Sequence, residues 1–197
     1  MNRNLLLVTA LIIVVGGVYF YITNQFDKSL ISDTTHNETG KVQTALAAKF
    51  DYLSQNGNSS CSASFKESIP LLPVGARLQG SCCSPMSLHR YTEQVEGLKK
   101  YSDISEIPPD PYDIEAGLAE KLLGYYDMEL TPKEQMAYDY AMENSHEKGP
   151  CCCKCWRWYV YGGLGKYLIK NYQFTGEQLT EVWNLSDGCG GDNEHTH

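Results

Sequence analysis

The stretch "GPCCCKCWRWYVYGGLGKYLIKNY", Gly149 to Tyr172, joins two different patterns. Its second half places Trp156, Tyr159, Gly163 and Tyr167 at i, i+3, i+7 and i+11, one face of a helix. Gly162, Gly163 and Gly165 each cost such a helix ~1 kcal/mol against alanine, so the helix needs another element packed closely on it. This is the expected central helix of the fold. Its first half crowds four thiols into five positions, at Cys151, Cys152, Cys153 and Cys155. Pro150 suits a first helical position, which predicts that the thiols occupy the opening turns. Cys151, Cys152 and Cys155 would then share a face, while Cys153 turns away by ~100°.

Outward from this stretch the chain reads as helical. "TPKEQMAYDYAMENSHEKG" opens on a capping box of Thr131 and Glu134 and closes on His146, Lys148 and Gly149. "TGEQLTEVWNLSDG" repeats the device with Thr175 and Gln178. "PYDIEAGLAEKLLGYY" spaces Ile114, Leu118, Leu122 and Tyr125 for a helix. "SPMSLHRYTEQVEGLKKY" offers Ser84 as N-cap and Pro85 at the first helical position. Prolines in "SDISEIPPDPYD" forbid helix there. Long β-type alternation is missing, so the expected class is all-α, with a compact domain of about five short helices over 61–191.

The chain has 197 residues, eight of them cysteine, and a formal net charge of −8. No basic run exceeds Lys99-Lys100, so nothing marks a nucleic-acid surface. No phosphate-binding loop, nucleophile elbow or zinc-protease helix occurs, and no catalytic residue is assigned. The chemistry lies in sulfur. A helix N-terminus, Lys154 and Arg157 favour thiolate at residues 151–155. Cys82 and Cys83 precede a helix on which Met86 and His89 fall at i, i+3. Cys189 sits in the glycine-rich turn "LSDGCGGD", where backbone can approach a sulfur or an ion.

Cys, Met and His form a soft donor set, suited to Cu(I) and, without Met, to Zn(II). The expected ligands are Cys82, Cys83, Met86, His89, Cys151, Cys152, Cys155 and Cys189. Cys61, in a serine-rich segment, and Cys153 stand outside that set. An iron–sulfur cluster is less well suited, because a cluster exposed outside the cytoplasm is vulnerable. Trp156 stands where haem attachment after C-x-x-C needs histidine. Two other readings use the same residues. Cys152 and Cys155 could exchange thiol for disulfide, resolved by Cys82 or Cys83. Eight cysteines could also form four inert bridges in an interaction module.

The run "PCCCKC", Pro150 to Cys155, fits the pattern P-C-x-C-x-C. In this it resembles the PCYCxC-type exported proteins, small membrane-attached cysteine-rich proteins of unknown function, with Cys152 in place of their tyrosine. The resemblance spans six residues and implies metal or thiol chemistry outside the cytoplasm.

"LLLVTALIIVVGGVYFYI", Leu5 to Ile22, carries no charge. Its 18 residues reach ~27 Å as a helix, enough for a bilayer core. Tyr19, Phe20 and Tyr21 suit the interface, and Arg3 favours an inside N-terminus. No small-x-small cleavage site follows. The expected layout is a membrane anchor over 1–22, a polar stalk with a short amphipathic helix over 23–60, the cysteine-rich domain over 61–191 and a polar tail over 192–197. The protein would be a single-pass protein of the cell membrane, its C-terminal domain outside the cytoplasm. It would partner the membrane and a neighbouring membrane enzyme or transporter.

Overall fold

The computed structural model describes residues 41–191. The chain divides into two units, 1–46 and 47–197, and the described part of the first, 41–46, is helical. Helix α1 occupies 41–55, and its residues from 47 onward belong to the second unit. Then follow α2 (Phe65–Ser68), β1 (Arg77–Gln79), α3 (Leu88–Leu98), β2 (Asp113–Glu115), α4 (Ala116–Gly124), α5 (Pro132–Asn144), α6 (Trp156–Tyr172) and α7 (Gly176–Ser186). The described chain is thus mostly helical, as its sequence suggests. Among the described residues no helix is long and apolar enough to cross a membrane. The expected anchor, Leu5 to Ile22, and the polar tail over 192–197 lie outside them.

Helix α6 is central. Ten of its seventeen residues are buried, which puts α4, α5 and α7 around it. The glycines explain how. A Cβ on Gly163 would land on the Leu122 backbone carbonyl of α4, and one on Gly165 would meet the Trp183 ring of α7 at 2.9 Å. The buried stripe is Trp156, Val160, Leu164 and Leu168, with Gly163 at the closest approach. Tyr159 and Tyr167, expected on the core face, are half-buried flanks that pack on Tyr126 and Tyr125. Trp183 donates to the Tyr161 carbonyl at 3.0 Å and meets Tyr138 edge-on, tying α7 to α6 and α5.

Both capping boxes form. Thr131 accepts from the Glu134 N–H and Thr175 from the Gln178 N–H, and each side chain at the third position returns the bond. Each box satisfies donors that the first turn leaves without intrahelical partners.

Three expectations about element starts are corrected. Ile114 does not begin a helix: residues 113–115 pair antiparallel with 77–79, Leu78 opposite Ile114, and both side chains are 1 % exposed. The all-α reading therefore gains a two-stranded ribbon, too short to show alternation. Helix α3 starts at Leu88 with Ser87 as N-cap in extended geometry, not at Ser84 and Pro85. The Ser84 N–H donates to the Cys189 carbonyl and the Pro85 carbonyl accepts from Gly191, so this backbone is engaged in pairing. Finally, Pro150 does not open a helix. Residues 151–155 are a bent loop, and α6 begins at Trp156 with Cys155 as an extended N-cap.

One polar cluster fixes α1 to the ribbon. The Lys49 ammonium lies 2.9 Å from Asp110 and 3.0 Å from Asp113, and the Tyr91 hydroxyl donates to Asp110 at 2.8 Å. Arg77 closes on Asp113 from β1.

Candidate metal centre

Four segments carry the thiols, and each is held by its backbone. Asn58 and Ser59 donate their N–H groups to the Gln79 carbonyl, and the Asn58 side chain bonds both Arg77 and Gln79. That extends the ribbon by a short tether and sets Cys61 beside the next segment. Cys82 and Cys83 run alongside Gly188 and Cys189, their N–H groups donating to those two carbonyls. Gly190, at φ 83, allows this approach, since a Cβ there would strike the Ser84 carbonyl. The 151–155 loop is anchored at its start by buried Ser145, whose hydroxyl accepts from the Gly149 N–H at 2.8 Å.

The result is one connected group of eight sulfurs. Cys61 Sγ lies 2.9 Å from Cys153 and 3.4 Å from Cys83. Cys83 is 3.6 Å from Cys82, 3.7 Å from Cys152 and 4.0 Å from Cys153. Cys152 is 2.9 Å from Cys189; Cys151 is 3.2 Å from Cys189 and 3.7 Å from Cys155. These separations exceed the ~2.05 Å of a disulfide bond, and all eight cysteines are free. They bracket the ~3.8 Å edge of a sulfur tetrahedron about an ion at ~2.3 Å.

The six cysteines expected as ligands all belong to this group. Cys153 and Cys61 belong to it too. Cys153 is not turned away, because 151–155 is a loop whose side chains need not follow a helical 100° step. Cys61 is brought in by the Asn58–Gln79 pairing, which no sequence spacing announces. Met86 and His89 do not share a helical face, since Met86 precedes α3. Met86 is half-buried, His89 is exposed, and no close group of metal-capable atoms among the described residues includes His89.

Burial grades the cluster. Cys151, Cys155 and Cys189 are 1–2 % exposed, whereas Cys61 and Cys83 are open to solvent. At the buried end sits Arg157, wholly enclosed. It donates to the carbonyls of Pro111 and Gly80 at 2.6 and 3.0 Å and stacks on Trp156. Burial works against its charge, but Tyr161, Cys82, Cys151 and Cys189 hold it protonated. The N-terminus of α6 adds positive potential at Cys155. Lys154, by contrast, is exposed and lies over the Trp158 ring.

The thiols accordingly divide. Hydrogen bonding to Cys151 draws Cys82 and Cys152 down, and brings Cys153 down to about 6. Cys151 itself is pushed up by Cys152, Cys153 and its other sulfur neighbours, and Cys83, though its side chain reaches solvent, by partial desolvation of its sulfur together with Cys82 and Cys61. Cys155 and Cys189 are pulled down by Cys151, yet Cys82, Cys152 and burial outweigh that and raise both. Cys61 is pushed up to about 11, first by its bond with Cys153. Cys82, Cys152 and Cys153 are thus biased toward thiolate, the form that binds soft metals.

Eight clustered cysteines with partial thiolate character are compatible with metal binding or with redox chemistry. Comparison with known proteins supplies no further guide: no family model, no curated relative and no solved structure matches the chain.

Proposed function

We propose that this protein is a membrane-anchored, extracytoplasmic binder of a soft metal ion, Cu(I) or Zn(II), serving delivery, storage or sensing. The observation that carries the reading is the convergence of eight free thiols from four separate segments onto one group with 2.9–4.0 Å spacings. Structural disulfides need paired sulfurs; a group in which Cys83 touches four others suits shared ions better. Each ligating thiol releases its proton as the metal–sulfur bond forms. Arg157 and the α6 N-terminus offset the charge that thiolates bring into the core. The apolar segment Leu5 to Ile22 supports the anchor, and the PCYCxC resemblance supports export. A neighbouring membrane enzyme or transporter is the natural recipient of the ion.

The test is metal uptake by the full chain, purified in detergent, reduced and metal-free, then offered Cu(I) or Zn(II). Elemental analysis should show bound metal that survives desalting, with thiolate-to-metal absorption in the near ultraviolet. Failure of both ions to bind overturns the proposal.

A thiol–disulfide role is favoured by one specific observation, the two 2.9 Å pairs Cys61–Cys153 and Cys152–Cys189. The pair would not be Cys152–Cys155, since the close sulfur neighbour of Cys155 is Cys151. Mass mapping after mild oxidation separates the readings: reversible bridges at those two pairs, in protein that takes up no metal, mark exchange.

A further inference from the structure

The sulfurs are not arranged as one four-ligand site with spare neighbours. They fall into five triads whose members lie within 4.8 Å of one another: Cys61/Cys153/Cys155, Cys61/Cys82/Cys83, Cys82/Cys151/Cys189, Cys83/Cys152/Cys189 and Cys151/Cys152/Cys153. Cys155 belongs to one triad and every other cysteine to two. Each triad is a triangular face, and neighbouring faces share one corner, so the eight sulfurs form a single corner-linked cage. A sulfur shared by two faces can bond two ions at once, because a thiolate has lone pairs to spare after its first metal bond. The cage does not part into two separate tetrads, since Cys83 alone reaches toward Cys61, Cys82, Cys152 and Cys153.

On the reading that this cluster binds a soft metal, we infer that it holds a polynuclear Cu(I)–thiolate core: three to five Cu(I) ions on three-sulfur faces, joined by bridging cysteines. Three-sulfur faces suit Cu(I), a soft ion content with trigonal coordination, whereas structural Zn(II) takes four ligands in a tetrahedron. Charge agrees. Eight thiolates around monovalent ions leave a net negative core, and the enclosed Arg157 guanidinium, which lies against Gly188 next to Cys189, offsets part of that charge. An iron–sulfur core is less suited, because its inorganic sulfides hold the cysteine sulfurs apart, and here they touch. The cage also has a direction. Its buried end is Cys151, Cys155 and Cys189, and its solvent end is Cys61 and Cys83, where ions arrive and leave by ligand exchange.

The test titrates the reduced full chain, in detergent without oxygen, with Cu(I) supplied as an acetonitrile complex. Native mass spectrometry counts the ions, and X-ray absorption looks for copper–copper scattering beside the sulfur shell. Three or more ions with a copper–copper shell support the core, because eight terminal thiolates cannot serve three separate trigonal sites. One or two ions with sulfur but no copper–copper shell overturn it and leave the metal-binding proposal standing. No copper bound overturns it as well, and Zn(II) binding under the same conditions then decides whether the broader proposal survives. Two variants sharpen the result: Cys155→Ser, on one face, should lower the count by one, and Cys153→Ser, on two, by two. Equal losses would contradict the shared-corner geometry.

Discussion

Removing the metal should cost this domain a large part of its thermal stability, and the geometry says how much. A bound core ties together segments far apart in sequence. Joining Cys61 to Cys153 closes a span of 92 residues, Cys83 to Cys152 one of 69, and Cys151 to Cys189 one of 38. In chain-entropy terms each closure withdraws ~4–5 kcal/mol from the unfolded ensemble. The spans overlap, so their sum overcounts, and the smallest single closure, ~4 kcal/mol, is the floor. For a chain of this size 1 kcal/mol moves the midpoint by ~2–4 °C, which makes the floor roughly 8–16 °C. The assay is thermal unfolding by circular dichroism of loaded protein, with and without a Cu(I) chelator, in reductant throughout. Two variants test the reasoning. Cys155 stands four residues from Cys151, so Cys155→Ser leaves every long span closed and should move the loaded midpoint by less than ~4 °C. Cys61→Ser frees the 22-residue arm between Cys61 and Cys83 while the other two spans stay closed, so it should remove about 3 kcal/mol and move the midpoint by ~6–12 °C. A chelation shift below ~3 °C, or a larger effect from Cys155→Ser than from Cys61→Ser, would refute the cross-link argument.

Further expectations concern single sites. Gly163→Ala places a methyl group on the Leu122 carbonyl and should cost ~1–3 kcal/mol or more in urea unfolding, while Gly124→Ala, which meets nothing within 4 Å, should be close to neutral. Burial raises the Asp113 carboxyl, but Arg77 and Lys49 outweigh it and hold the group below the ordinary range. Its contribution is therefore present above the unfolded carboxylate value of ~3.9 and fades as pH falls through the lower folded one; Asp113→Asn should remove that acid-side loss in a pH series of melts. Arg157→Met strips the enclosed cation, removes the side-chain donor to the Pro111 carbonyl and leaves the Gly80 carbonyl to Ser59; chelator competition should show metal affinity weakened on the order of tenfold, and Arg157→Lys should lose less. In metal-free protein, brief alkylation should label Cys61 and Cys83 before Cys151, Cys155 and Cys189, and loading should protect all eight together, read by peptide mass.

Much of this architecture is legible in the residues. Thr131 with Glu134 and Thr175 with Gln178 mark two helix starts because a capping box is local chemistry, complete within four residues. The three glycines of α6 announce close packing because nothing else excuses their cost. Convergence of the cysteine segments follows from crowding: four thiols in five positions leave little room for separate partners. The remainder depends on tertiary pairing. Ser84 and Pro85 look like a helix start, yet their backbone groups go to Cys189 and Gly191. Met86 and His89 lose their common face for that reason. The loop form of 151–155 brings in Cys153, and the Asn58–Gln79 bonds bring in Cys61. Neither has a periodic signature.

The spread of the sulfurs along the chain has a kinetic consequence. Contacts between positions as distant as 61 and 153, or 151 and 189, form late, since loop closure must precede them. Until then Cys151, Cys152 and Cys153 are immediate neighbours with no correct partner in reach. Oxidation during that interval would trap wrong bridges that the finished fold cannot accept. Correct assembly therefore requires that the thiols stay reduced, or already carry their ion, for as long as folding lasts.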